Sequence, residues 1–229
     1  MDFLIFDRDL MKTYLVKQKN IARKISPEFA MSNWKDWKWQ IRHCVKDIDT
    51  FETLLDVEFE AEERKLLEET LEKFPLSITP YYLSLIEAED LKNDPIFMQA
   101  FPSPSELIVS EDDMHDPLSE DEDSPVPGIT HRYPDRVLFL VTHKCSMYCR
   151  HCTRRRVVGE EDCAVSREVL DRAIDYIGKN ESVRDVLLSG GDPMVMSDEF
   201  LEYVVGRLRN IPHVDIIRIG TRTPVVLPM

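Results

Sequence analysis

At 229 residues the chain is long enough for one large domain or two small ones, and its net charge of −14 argues against a general electrostatic partnership with nucleic acid. It holds no run of about 18 apolar residues, so no membrane-spanning helix is expected, and the opening MDFLIFDRDLMKTYLVKQ lacks the apolar stretch and small-residue cleavage site of a secretory leader. Five cysteines, three of them in one short run, do not suit a disulfide framework; Cys44 and Cys163 read as free thiols of a reducing compartment, which places the protein in the cytoplasm.

Residues 1–107 read as a mainly helical region. Glu60 to Phe74 carries Leu66, Leu67, Leu71 and Phe74 at helical spacing, with charges elsewhere and Pro75 as a stop. Thr79-Pro80 then has the form of an N-cap followed by proline at the first helical position, opening a helix whose Tyr81, Tyr82, Leu85 and Ile86 are core candidates. Trp34, Trp37 and Trp39 form a cluster that suits packing against a neighbouring helix better than stacking on a base. Residues 108–135 include an acidic, proline-rich stretch, Glu111 to Pro127, which reads as a solvated linker or surface loop.

From Arg136 to the end of the chain, strands and helices alternate. Val137 to Thr142, Asp185 to Ser189 and Val214 to Gly220 are short apolar runs of the kind found in buried parallel strands. Between them lie two helices: Ser166 to Asn180, with Ser166 as cap, and Ser197 to Asn210, with Ser197 as cap and acids in its first turn. Such alternation builds an α/β fold on a parallel sheet, and does not by itself separate an open sheet from a barrel.

Directly after the first of these strands comes THKCSMYCRHCTRRRVVG, which spaces Cys145, Cys149 and Cys152 as C-x3-C-x2-C. Three thiolates on one loop make a soft-metal site, and three rather than four leave one coordination position open, as a catalytic site requires. The spacing differs from paired C-x2-C zinc units and from the C-x-x-C-H of covalent haem, and it favours an iron–sulfur cluster. A structural zinc site completed by His143 or His151, or buried thiols that bind nothing, are the plainer readings.

The C-x3-C-x2-C run resembles the signature of the radical S-adenosylmethionine (SAM) enzymes. Its surroundings are similar to one branch of them, the lysine 2,3-aminomutase family. The similarity runs through Asp123 to Arg156, Val183 to Pro193 and His213 to Pro228, and extends upstream to Trp34–His43 and Ile78–Ile86. The resemblance implies a partial (β/α) radical-SAM barrel, truncated after about three strands at Met229 and preceded by the helical region. It also implies that the chain is an N-terminal portion of a longer protein, inactive alone, because the family's pyridoxal phosphate (PLP) lysine belongs to a later glycine-rich segment; Lys144 and Lys179 do not match it.

What the resemblance implies for the site follows residue by residue. Cys145, Cys149 and Cys152 would bind three irons of a [4Fe–4S] cluster, leaving the fourth iron to SAM. Tyr148 would lie near the adenine, with ordinary loop packing as the alternative. Ser189, Gly190, Gly191 and Asp192 would contact the methionyl end of SAM; the bland readings are a tight turn for the glycines and a cap for Asp192. Arg132, Tyr133 and Arg136 would lie near PLP, against the plainer reading of a strand-entry loop whose arginines pair with Asp135 or nearby acids. Arg154 would bind the substrate α-carboxylate, and Arg155 and Arg156 could simply be solvated.

The activity so implied is an isomerase that moves the α-amino group of L-lysine to the β-carbon, giving L-β-lysine with the [4Fe–4S] cluster, SAM and PLP. Its partners would be a small-molecule amino acid substrate, a reducing electron donor such as flavodoxin or ferredoxin, and further copies of the full-length chain in a homo-oligomer, with neither nucleic acid nor membrane. Glutamate, or a lysine on a translation factor, is the alternative substrate. A non-catalytic iron–sulfur or zinc-binding fragment is the alternative of another class.

Overall fold

In a computed structural model, residues 8–28, 31–111, 113–156, 158 and 165–229 are described. By their packing they fall into two units, Met1–Val109 with Ser146–His151 and Val225–Met229, and Ser110–Cys145 with Cys152–Pro224.

The first unit is helical. Its elements among the described residues are α1 (Arg8–Ile25), α2 (Met31–Trp34), α3 (Trp37–Arg42), α4 (Ile48–Leu55), α5 (Ala61–Lys73), α6 (Pro80–Leu83) and α7 (Pro95–Ala100), with short 3-10 turns at Ala88–Asn93 and Pro104–Leu107. Most helix starts are fixed by a side chain that accepts an otherwise orphan backbone N–H. Asp36 accepts from Lys38 N, Asp47 from Thr50 N, Thr79 from Tyr82 N and Asp94 from Phe97 N. The Thr79-Pro80 signal in the sequence therefore marks a helix start, but the helix is one turn, Pro80–Leu83, and ends before Leu85 and Ile86.

The core of this unit is aromatic. Phe51 is fully buried and meets Phe101 at 4.6 Å between ring centroids, with Phe59 and Phe97 at 6.0 and 5.8 Å. Trp34 and Trp39 are buried in the same core, 6.0 Å apart, so the tryptophan cluster is packing. Buried Gln40 joins three short helices: its Nε2 donates to Trp34 O, and its Oε1 accepts from Tyr81 N, at 2.9 Å each. A buried amide with both ends satisfied fixes one arrangement of otherwise marginal helices.

Helix α5 departs from its expected apolar face. Leu67 is buried, but Leu66 is exposed, and Thr70 is buried at 0 % exposure. Thr70 manages this because its hydroxyl donates to Leu66 O one turn back, which removes the cost of burying it.

The second unit is α/β. Its four-stranded mixed sheet has the order β1 (Ile129–Tyr133), β2 (Arg136–Thr142), β3 (Asp185–Gly190), β4 (Ile216–Ile219). Strands β2, β3 and β4 are parallel, with Phe139 opposite Leu188 and Leu188 opposite Ile219. Helices α8 (Arg167–Lys179) and α9 (Asp198–Arg209) connect them, capped by Ser166 and Ser197 on Val169 N and Phe200 N. The three parallel strands are those expected, but β1 is not: part of the expected strand-entry loop, with Ile129 and Thr130 before it, forms a strand that turns back antiparallel onto β2 through Pro134 and Asp135. Ile129 opposite Phe139 brings an apolar residue to the buried face, which explains why this short polar-looking segment pairs.

Alternation along the strands divides the sheet's two faces. Val137, Phe139, Val141, Val186 and Leu188 are buried with Leu170, Ala173, Ile174, Ile177, Val204 and Leu208 of α8 and α9. Leu138, Leu140, Leu187 and Ser189 lie on the opposite, half-exposed face. Among the described residues no helix is long and apolar enough to cross a membrane.

Removing the central aromatic of the first unit should be costly. Phe51→Ala is expected to destabilise that unit by about 3–5 kcal/mol, read as a lowered urea midpoint; a shift under about 1 kcal/mol would mean that the Phe51 site collapses around the smaller side chain.

Candidate cluster and cofactor site

The parallel strands β2 and β3 end in loops that carry candidate site residues, and the backbone shows how those loops are held. After β3 the chain makes the turn Gly190-Gly191-Asp192. Gly191 N donates to Thr142 O at 2.6 Å and Asp192 N donates to Lys144 O at 2.7 Å, so the turn lies directly on the root of the cysteine loop. A Cβ at Gly190, where φ is +112°, would stand 2.3 Å from Thr142 O, and one at Gly191 would stand 2.1 Å from Lys144 O. Only glycine fits at either place. The two glycines thus serve a close approach of backbone to backbone, whatever else their carbonyls contact.

Asp192 is buried at 5 % exposure, and its carboxylate accepts four hydrogen bonds. Oδ1 takes Met194 N at 3.0 Å and the Thr221 hydroxyl at 2.6 Å; Oδ2 takes Arg222 N at 2.8 Å and Thr223 N at 3.0 Å. The cap on the turn Pro193–Val195 is therefore one part of its work, and the larger part ties the loop after β4 to the loop after β3. With four donors already present, this carboxylate has little capacity left for a ligand.

Of the cysteine loop, Cys145 and Cys152 belong to the second unit and Cys149 to the first. Within the first unit the middle of the loop is anchored: Tyr148 N donates to Ser77 O, Arg150 N to Gln99 O, and Arg150 Nε to Glu106 at 3.0 Å. Met147 is buried in the aromatic core of that unit, and Cys44 Sγ donates to Ser146 O. Tyr148 itself is half-buried.

Cys145, Cys149 and Cys152 are partly buried thiols, and none is in a disulfide. Among the described residues no three His, Cys, Asp or Glu side chains stand together as a ready metal group. The fit to an iron–sulfur cluster therefore rests on donor chemistry, three thiols on one loop, which is what such clusters take. Cys44 is likewise not disulfide-bonded, and Cys163 lies outside the described residues.

Arg132, Tyr133 and Arg136 are brought together with Thr130, Glu120 and Arg218 around a cavity of about 250 Å³ that Leu118, Val137, Leu138 and Leu187 also line. That is just below the roughly 300 Å³ at which small-molecule sites begin. Arg136 is gripped by Asp135 through Nε at 2.9 Å and Nη2 at 3.0 Å, which holds the Asp135 carboxyl below its usual range. Arg132 donates through Nε to Asp123 at 2.6 Å and also to Leu118 O, and the Asp123 bond raises its pKa further. Arg218 donates through Nε to Asp185 at 2.9 Å. Arginines backed by acids were one of the two sequence readings; the cavity in front of them was not legible there.

Arg154 meets Glu120, and Arg156 meets Asp116 and Asp121 at 3.2 and 3.0 Å. The acidic stretch read as a solvated loop is thus in part a buried counter-charge: Glu120 is only 6 % exposed. Arginine fixes carboxylates in pairs even at 34 residues' separation, and the sequence signal was present in the facing runs of acids and arginines.

Asp192→Ala should leave several buried donors unpaired and cost on the order of 3 kcal/mol, measured by urea unfolding of the chain. A neutral outcome would mean that the 221–223 loop does not depend on Asp192.

Residues 131–221 match the family model of the 4Fe-4S single cluster domain. The chain is 53% identical to the L-lysine 2,3-aminomutase of Methanococcus maripaludis over 207 residues, which is 90% of this chain and 48% of that protein. It is 53% identical to the L-lysine 2,3-aminomutase of Clostridium subterminale, over 86% of this chain and 47% of that one. The glutamate 2,3-aminomutase of Clostridioides difficile is 38% identical over 100% of this chain and 54% of its own length. The chain spans about half the length of these curated relatives. Over the span that it shares with them, the chain belongs to the lysine 2,3-aminomutase family.

Proposed function

We propose that the protein carrying this chain is a radical-SAM isomerase that moves the α-amino group of L-lysine to the β-carbon. The observation that carries this reading is the C-x3-C-x2-C loop directly after β2, within a stretch 53% identical to L-lysine 2,3-aminomutase. The proposal extends to a partial (β/α) barrel of which the parallel strands β2 to β4 form one part.

In this reading Cys145, Cys149 and Cys152 hold the [4Fe–4S] cluster through their thiolates. When bound, the reduced cluster and SAM supply a hydrogen-abstracting carbon radical, and PLP supplies an electron-delocalising carrier for the migrating amine. Ser189, Gly190 and Gly191 present carbonyl and hydroxyl oxygens that suit an ammonium, because the Gly191 and Asp192 amides are already committed to the cysteine-loop root. Asp192 acts behind them, by holding the 221–223 loop. Tyr148 offers a half-buried ring to an adenine.

Arg132 and Arg136 stand on the cavity wall as cations for a phosphate, with Tyr133 beside them. Each is steadied by a carboxylate on its Nε side, which fixes direction at the expense of some attraction. Arg154 is assigned the substrate α-carboxylate, a planar anion that a guanidinium grips with two parallel bonds. A flavodoxin- or ferredoxin-like donor would reduce the cluster, in a cytoplasmic homo-oligomer.

The glutamate 2,3-aminomutase match favours a second reading, the same reaction on glutamate. The two are separated by one anaerobic assay of the whole protein with iron, sulfide, SAM and PLP. L-lysine should yield β-lysine, and Cys145→Ala should abolish the product; turnover of glutamate with none of lysine would transfer the assignment to the second reading.

A further inference from the structure

The Arg154–Glu120 pair is more specific than a general neutralisation. Glu120 accepts from Arg154 Nε at 3.0 and 2.9 Å on its two oxygens and from Nη2 at 2.6 Å. All of these bonds fall on one edge of the guanidinium, the Nε/Nη2 edge. Among the described residues Nη1 has no acceptor. A guanidinium has a second two-donor edge, Nη1/Nη2, with the same fork spacing. The side chains are largely removed from water, with Glu120 at 7% and Arg154 at 19% exposure.

We propose that Glu120 is a positioning residue for Arg154: it holds the Nε/Nη2 edge so that the Nη1/Nη2 edge is presented, already oriented, to the substrate carboxylate. This deepens the functional reading above and rests on its assignment of Arg154. The physical gain is preorganisation. A free arginine side chain has rotamer freedom to lose on gripping a ligand, and a side chain already held by a buried carboxylate has lost it on folding.

The opposite arrangement, in which the substrate displaces Glu120, is disfavoured by burial. Among the described residues the remaining ion-pair partner of a displaced Glu120 is Arg156 Nη1 at 3.9 Å, and Arg156 already faces Asp116 and Asp121. Breaking a buried pair is strongly unfavourable because it leaves a buried carboxylate poorly compensated. The same acids make Glu120 hard to move, because Arg156 pins the 116–121 segment at two further points.

The test compares the amino acid substrate with its α-carboxamide, which lacks the anion, in the reconstituted whole protein. The readout is the ratio of kcat/KM for acid over amide. Loss of one charged contact is worth about 1.5–3 kcal/mol, so Arg154→Gln should lower that ratio about 10- to 100-fold. Glu120→Ala should lower it about tenfold, through KM for the acid. Glu120→Gln, which keeps the volume and one acceptor, should fall between it and the wild type.

If Arg154→Gln leaves the ratio unchanged, the assignment of Arg154 itself is wrong. If Arg154→Gln lowers it but neither Glu120 variant does, the positioning role is wrong while the assignment stands. A lowered KM in Glu120→Ala would show Glu120 to be a competitor for Arg154, which contradicts the proposal. Failure of both Glu120 variants to fold would make Glu120 a fold residue and overturn it equally.

Discussion

Two backbone hydrogen bonds, Gly191 N to Thr142 O and Asp192 N to Lys144 O, set the position of much that matters in the second unit. They fasten the turn after β3 to the start of the cysteine loop, at a separation that excludes any Cβ. Asp192 then extends the same attachment to the residues after β4, through its hydroxyl and amide partners at 221–223. Three loops that are far apart in sequence become one continuous surface at the C-terminal ends of the parallel strands. That end of such a sheet is where ligands are bound in α/β folds.

A second constraint is electrostatic. Arg132, Arg136, Arg154 and Arg218 each donate Nε to a carboxylate, from Asp123, Asp135, Glu120 and Asp185. Part of the acidic content therefore acts locally, fixing the direction of cations. Paired in this way, an arginine attracts an anion less strongly than a bare one but offers it a defined geometry. A site that must orient a reactive substrate benefits from direction more than from net charge.

Local signals in the sequence were legible where chemistry acts over three or four residues. Thr79-Pro80, Ser166 and Ser197 are caps in the structure, and the three apolar runs are parallel strands. What escaped was set by tertiary contacts. Strand β1 exists because Ile129 meets Phe139, and no period in THRYP announces it. Thr70 replaces Leu66 in the core because its hydroxyl finds a carbonyl one turn back. Glu120 sits in a stretch whose composition reads as solvated, and only the fold places Arg154 against it. Asp192 could be foreseen as a cap but not as the tie between two strand-end loops. The cysteine spacing suggested a cluster, and the long flanking similarity suggested the family to which the chain belongs.

The central claim is that the cysteine loop binds a cluster with one iron open to SAM. It is tested most directly by electron paramagnetic resonance of this chain, reconstituted anaerobically with iron and sulfide and then reduced. A [4Fe–4S] signal that changes on addition of SAM, and is lost in Cys149→Ala, is the predicted result. Tight zinc binding with no cluster, or a cluster signal indifferent to SAM, would contradict it.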